Sequence, residues 1–181
     1  MSKNNDLEMY PLSFDVAGYM AEVKDCVNIA LDPLSGHMHD VICTAISQCS
    51  EAANIMILEA QKNVKEISRE ITNTEATIEV GVDEGAIGGG EQGFVRVMVT
   101  LHGNHSVWAR PGASAWTKHV GVKRQNHVEV EYHLPFFEQG DHSDVMLKAF
   151  EHDIQKYVKQ FMASLNAMLQ AIDYQKYLKI G

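Results

Sequence analysis

The stretch Thr77-Ile78-Glu79-Val80-Gly81-Val82-Asp83 decides how the rest of the chain is read. Upstream of it, apolar residues recur at steps of three and four. Here Ile78, Val80 and Val82 alternate with Thr77, Glu79 and Asp83, the period of two that turns one strand face to a core and the other outward. Phe94 to Leu101 repeats the alternation more strongly, with Val95, Val97, Val99 and Leu101 on one face. Asn126 to Leu134 repeats it again, with Val128, Val130, Tyr132 and Leu134 opposed to Glu129, Glu131 and His133. Between the first two runs, Glu84 to Gly93 carries five glycines, the composition of a hairpin tip. The core of the fold is therefore expected to be an antiparallel sheet of three or four strands.

Working outward, the flanks read as helices. Residues 1–12 are polar and closed by Pro11, an arm expected to order against a partner. Ser13 is positioned to cap a helix from Phe14 to Leu31, with Val16, Met20, Val23 and Val27 on one face. Asp32-Pro33-Leu34-Ser35-Gly36 should stop it, because proline and glycine both disfavour a helix interior. From His39 to Thr72, the positions Ile42, Ile46, Cys49, Ala53, Met56, Ala60, Val64, Ile67 and Ile71 predict a second helix with a narrow, coiled-coil-like seam. Downstream of the sheet, Leu147, Phe150, Ile154, Tyr157, Phe161, Leu165, Met168 and Ile172 place one apolar face on a terminal helix from Asp141 to Leu178. At roughly 1.5 Å per residue such a helix would reach about 55 Å and should project from a small domain. The expectation is one α+β domain over residues 13–181, its sheet flanked by long N-terminal and C-terminal helices.

Composition narrows the function. The 181 residues include 45% hydrophobic ones, enough for a real core. Fifteen basic against 24 acidic residues leave a net charge of −9, which argues against a protein that grips nucleic acid by neutralising phosphates. No apolar run approaches the roughly 18 residues of a membrane span, and the first residues carry no signal-like apolar core. A protein made in the cytoplasm is expected. Cys26, Cys43 and Cys49 lack C-x-x-C spacing and read as buried, reduced thiols rather than a disulfide or zinc framework.

Motifs with chemistry are weak. Gly88-Gly89-Gly90-Glu91-Gln92-Gly93 satisfies G-x-G-x-x-G, but a strand follows it where a dinucleotide fold needs a helix N-terminus. The kinase form of the motif fails as well, since no V-A-I-K, H-R-D or D-F-G is present. Nine histidines suggest a metal, yet the only close pairs are His37/His39 and His102/His105, and spacing assigns no third ligand. Glu129, Glu131 and His133 share a strand face better suited to solvent or a subunit than to acid-base work. No catalytic residue, metal or cofactor is assigned.

Trp108, Arg110 and Trp116 lie within nine residues of one another in the segment Ser106 to Val120, which reads as a loop. Tryptophan and arginine are enriched at interface hot spots, and tryptophan also seals sheets against helices; both readings stay open. With Phe136 and Phe137 in the turn before the terminal helix, and Met168 and Ile172 towards its end, they form the set of subunit-interface candidates.

The order of elements, the Trp108-Ala109-Arg110-Pro111-Gly112 turn, and a strand leading through Leu134-Pro135-Phe136-Phe137 into a long terminal helix resemble the neck and tail-completion proteins of tailed bacteriophages, such as tail terminators and head-tail connectors. The resemblance covers the chain from about residue 39 onward. The helical insertion that many such proteins carry is replaced here by the glycine loop 84–93. The resemblance implies a non-enzymatic subunit of a homo-oligomeric ring in the virion, joined to other tail or head-tail proteins, with DNA passing through a lumen. An anionic lumen would let DNA slide without sticking. The alternative from another class is a small homo-oligomeric metal-dependent enzyme or ligand-binding domain using a histidine site. A third is an adaptor that pairs through the seam Ile42 to Ile71.

Overall fold

The computed structural model describes residues 12–49, 61–82, 93–101, 127–137 and 143–180. Strand β1 (Leu12–Phe14) leads into helix α1 (Val16–Cys49), and strands β2 (Val64–Ile71), β3 (Glu75–Val82), β4 (Phe94–Thr100) and β5 (His127–His133) follow. A 3-10 turn at Pro135–Phe137 then precedes helix α2 (Ser143–Gln170), a second 3-10 turn at Tyr174–Tyr177, and β6 (Leu178–Ile180). The fold is α+β, as the periodicities predict.

Strands β2, β3, β4 and β5 form an antiparallel meander in sequence order. Ile78, Val80, Val95, Val97, Val99, Val128 and Val130 line its inner face and are sealed from solvent. Both helices lie on that face. α1 sits towards β2 and β3, held there by contacts to Glu66 and Arg69. α2 reaches β5, where the Tyr132 ring packs edge-on against Phe150 at 4.8 Å. Val27, Leu31, Leu34, Met38 and Ile42 of α1 join Ile154, Val158, Met162 and Leu165 of α2 in the same core. The stacked rings of His37 and Tyr157, 4.0 Å apart, mark where the two antiparallel helices meet at mid-length.

Four expectations are corrected. First, α1 does not stop at residues 32–36 but runs 34 residues with Pro33 inside. A helix-interior proline costs about 3 kcal/mol. Leu31, Leu34 and Met38 are at most 1% exposed, and burying such side chains is worth about 1.5–3 kcal/mol each. The helix that keeps all three inside wins. Pro33 and Gly36 fall on its exposed side. Its cap is Asp15 rather than Ser13: the Gly18 amide donates to Asp15 Oδ1 at 3.0 Å.

Second, the expected helix from His39 to Thr72 does not persist to its end, because Val64–Ile71 is a strand. Val64, Glu66, Arg69 and Ile71 stand opposite Val82, Val80, Ile78 and Ala76, so these four share the inner side; a bulge between Glu66 and Ser68 supplies the extra residue. The bulge replaces strict alternation by steps of two, three and two, and two of the four inner residues are charged. Ile67, expected on the helical seam, is 42% exposed. A coiled-coil seam from Ile42 to Ile71 is thereby excluded.

Third, the terminal helix ends at Gln170 and does not project. Phe150, Ile154, Phe161, Leu165 and Ile172 are buried on the expected face, with Leu147, Tyr157 and Met168 packed at its margin. The chain then turns back so that β6 pairs antiparallel with β1, Leu12 opposite Ile180 and Phe14 opposite Leu178. Fourth, Leu12 belongs to that two-stranded sheet; the rest of the expected arm lies outside the described residues.

Candidate functional site

The face of the sheet turned away from the helices carries the most organised polar chemistry. Because β3, β4 and β5 pair in direct register, Glu79, Arg96 and Glu131 stand side by side across three strands. Arg96 Nη2 lies 2.5 Å from Glu79 Oε2, its Nε donates to the same oxygen at 2.8 Å, and its Nη1 donates to Glu131 Oε2 at 2.8 Å. The Glu79 side chain is only 15% exposed and that of Arg96 33%, so this rung is partly withdrawn from water. Desolvation works against the Arg96 charge, but the Glu79 hydrogen bond and charge, then those of Glu131, outweigh it and raise the arginine pKa. The guanidinium also lies over the Phe94 ring, 5.0 Å from its centroid, and that ring sits 6.1 Å from His133. A permanently protonated arginine fixed between carboxylates has no proton to exchange at neutral pH. The rung is suited to orientation and recognition rather than acid-base catalysis.

On the other side of the sheet, Arg69 joins β2 to α1. It donates to Glu66 (Nη2 to Oε2, 2.8 Å), Asp32 (Nη1 to Oδ1, 2.6 Å) and both the side chain and main-chain carbonyl of Asn28, at 3.0 and 3.2 Å. Ser35 donates to the same Glu66 oxygen, Oε2, at 2.6 Å, and Arg69 Nε takes the other, Oε1, at 2.9 Å. Arginine hydrogen bonding, followed by that from Ser35, holds the Glu66 carboxyl below its ordinary range against the pull of burial.

Among the described residues the histidines do not converge. His37 stacks on Tyr157, His152 is exposed beside Asp153 at 3.4 Å, and His39 lies 3.3 Å from Asp40 and 3.8 Å from Cys43 Sγ. Among the described residues no group of three or more histidine, cysteine, aspartate or glutamate side chains could hold a metal ion. Burial first, then Asp40, raises the Cys43 pKa, and burial followed by Glu22 and Asp25 does the same for Cys26. Both are free thiols, half-buried rather than fully so as expected. No described helix is long and apolar enough to cross a membrane.

The interface candidates divide. Trp108, Arg110 and Trp116 lie outside the described residues, as do the glycine motif up to Gln92 and the His102/His105 pair. Phe136 is part of the 3-10 turn. Phe137 is 5% exposed and its ring packs against Phe150 at 5.4 Å; Ile172 is also 5% exposed, while Met168 lies at the core margin. Phe137 and Ile172 thus serve this chain's own core. Beside the turn, Val41, Ala45, Phe137, Met146, Phe150 and Asp153 are among the residues that line a small groove of about 40 Å³. Sequence reading missed Arg96 and Arg69. The only signal for Arg96 was a lone basic residue on the polar side of a valine-rich strand, and for Arg69 there was none, since its partners on α1 lie 37 to 41 residues away.

No protein-family model matches this chain, and no curated protein and no solved structure is significantly similar to it.

Proposed function

We propose that this protein is a structural, non-enzymatic subunit of a tailed-phage virion, several copies forming a ring at the neck or tail terminus. The observation that supports the reading best is the passage from β5 through the Pro135–Phe137 turn into α2, the same strand, Pro-Phe turn and final helix on which the resemblance rests. A long first helix and an antiparallel meander precede it in the order the resemblance requires. In this role the ring completes the tail or joins it to the head, and DNA passes through a lumen whose acidic lining, drawn from a chain of net charge −9, repels phosphates. The Glu79-Arg96-Glu131 rung would orient a neighbouring subunit, and Trp108, Arg110 and Trp116 would anchor contacts between copies.

The test is direct. The purified chain, alone and mixed with phage tail-tube and head-tail proteins, is examined by light scattering and negative-stain electron microscopy, and purified virions are analysed by mass spectrometry. Rings, and the chain in virions at fixed stoichiometry, are expected. Trp116→Ala and Arg110→Ala should impair ring formation with the subunit's thermal transition nearly unchanged. A chain that stays monomeric in every mixture and is missing from virions would overturn the reading.

A further inference from the structure

Where the two ends of the described chain meet, β1, the Tyr174–Tyr177 turn and β6 form a clasp outside the main core. Two three-residue strands pair with each other, and an isolated two-stranded ribbon is marginal in water. No residue of the Tyr174–Tyr177 turn is buried. Tyr174 is 41% and Leu178 43% exposed, whereas Val95, Val97 and Val99 of β4 are fully buried. Little apolar burial therefore holds the clasp in place, and local stability follows burial.

What holds it is polar and aromatic. Glu22, on the second turn of α1, receives the Tyr177 hydroxyl and lies 2.6 Å from Lys176 Nζ. Asp15, the cap of α1, places Oδ2 at 3.7 Å from Lys179 Nζ, and its amide donates to the Tyr177 carbonyl at 2.8 Å. The Phe14, Tyr19 and Tyr177 rings meet edge to face at 5.5 to 6.1 Å. Tyr177 lies so close over Gly18 that a Cβ there would come within 3.1 Å of its ring. Of these rings Tyr19 is the buried one, at 5% exposed, and Val23 and Ile172, at 3% and 5%, belong with it to the hydrophobic core.

We infer that the terminal clasp is a strap that opens as a local unit without unfolding of the sheet and helices, and that Glu22 is its latch. One carboxylate on α1 fastens both Lys176 and Tyr177, so its loss frees the turn that carries β6. Opening unpairs β1 from β6 and uncovers the Tyr19 end of α1, while the cluster around Val97, Val130 and Leu165 is untouched. Opening of the strap is independent of whether the protein forms a ring.

Residue-level hydrogen exchange on the full chain, at neutral pH and low salt, tests this. The Asp15 amide and the amides of the β1-β6 ladder should exchange at least about a hundredfold faster than the Val97 and Val99 amides, the mark of sub-global opening. Glu22→Gln should speed the clasp amides a further three- to tenfold or so, the scale of one ion pair plus one charge-assisted hydrogen bond, and leave β4 unchanged. About 1 M sodium chloride should act on the wild type in the same direction and on the same amides, because it screens the latch. Clasp amides that exchange at the β4 rate, or a Glu22→Gln effect shared equally by β4, would refute the local strap. Clasp-specific exchange unaffected by both Glu22→Gln and Lys176→Gln would refute Glu22 as the latch.

Discussion

The guanidinium of Arg69, on an edge strand, donates to the main-chain carbonyl of Asn28, five residues before the proline inside α1. A proline leaves the helix one amide short and crowds the preceding turn. Arg69 attaches to that turn at three points, on Asn28 and Asp32, and reaches Glu66 on its own strand. The strand thus fastens the helix at the turn that leads into Pro33.

Arg69→Met should therefore destabilise the fold by about 1–3 kcal/mol, since it removes the charge-assisted hydrogen bonds to Asn28 and Asp32 that join β2 to α1 and leaves Glu66 with Ser35 alone. Arg69→Lys should recover only part of this, because an ammonium lacks the fork that reaches both Asn28 and Glu66. Urea unfolding midpoints measure both; equal midpoints for wild type and Arg69→Met would contradict the account.

Two glycines should respond with opposite signs. Gly81 lies where a Cβ would come within 2.6 Å of both the Gly93 carbonyl and the Ile67 methyl group, so Gly81→Ala should destabilise by about 1–3 kcal/mol. At Gly36, inside α1, a Cβ would meet nothing within 4 Å, and Gly36→Ala should stabilise by about 0.5–1 kcal/mol. Thermal denaturation of the two variants side by side gives the comparison.

Ile172→Ala separates core from interface. Its burial within the chain predicts a loss of about 2–5 kcal/mol in a single subunit, with the oligomeric state of the folded fraction unchanged. A variant as stable as wild type but altered in assembly would return Ile172 to the subunit boundary.

Acid should act through named carboxylates. Hydrogen bonding from Lys176, then Tyr177, lowers the Glu22 pKa below its ordinary 4.5, and hydrogen bonding from Arg69, then Ser35, does the same for Glu66. A carboxyl depressed in the folded state contributes its stabilisation fully above the unfolded value and loses it as pH falls through the folded one. Stability should hold from neutral pH down to about pH 5 and decline below 4.5. In Glu22→Gln and Glu66→Gln that decline should be shallower than in wild type. Urea midpoints from neutral pH to about pH 3 would show it, and parallel acid limbs would remove these two groups from the cause.

Some of this architecture was legible locally and some was not. β3, β4 and β5 follow from their alternating valines because nothing interrupts the period, and the pairing of Val80 with Val95 and Val97 with Val130 realises it. The inward face of α2 was legible for the same reason. β2 was not: its bulge inserts a residue, its inner positions include Glu66 and Arg69, and Val64, Ile67 and Ile71 happen to sit at helical spacing. The Glu79-Arg96-Glu131 rung needed the register of three strands, which no single segment contains.

By itself, then, the sequence determined the α+β class, three of the four strands of the main sheet and the buried face of the last helix, because each rests on a periodicity repeated within one segment. Tertiary structure alone decided that α1 continues through Pro33 and Gly36, that residues 64–71 form a strand, and that β6 folds back to pair with β1. Each of these is a local preference overruled or settled by groups far away in sequence: Leu31, Leu34 and Met38 held in a shared core, Arg69 reaching Asn28, and Lys176 meeting Glu22. Such contacts have no period, so they can be known only once the chain is folded.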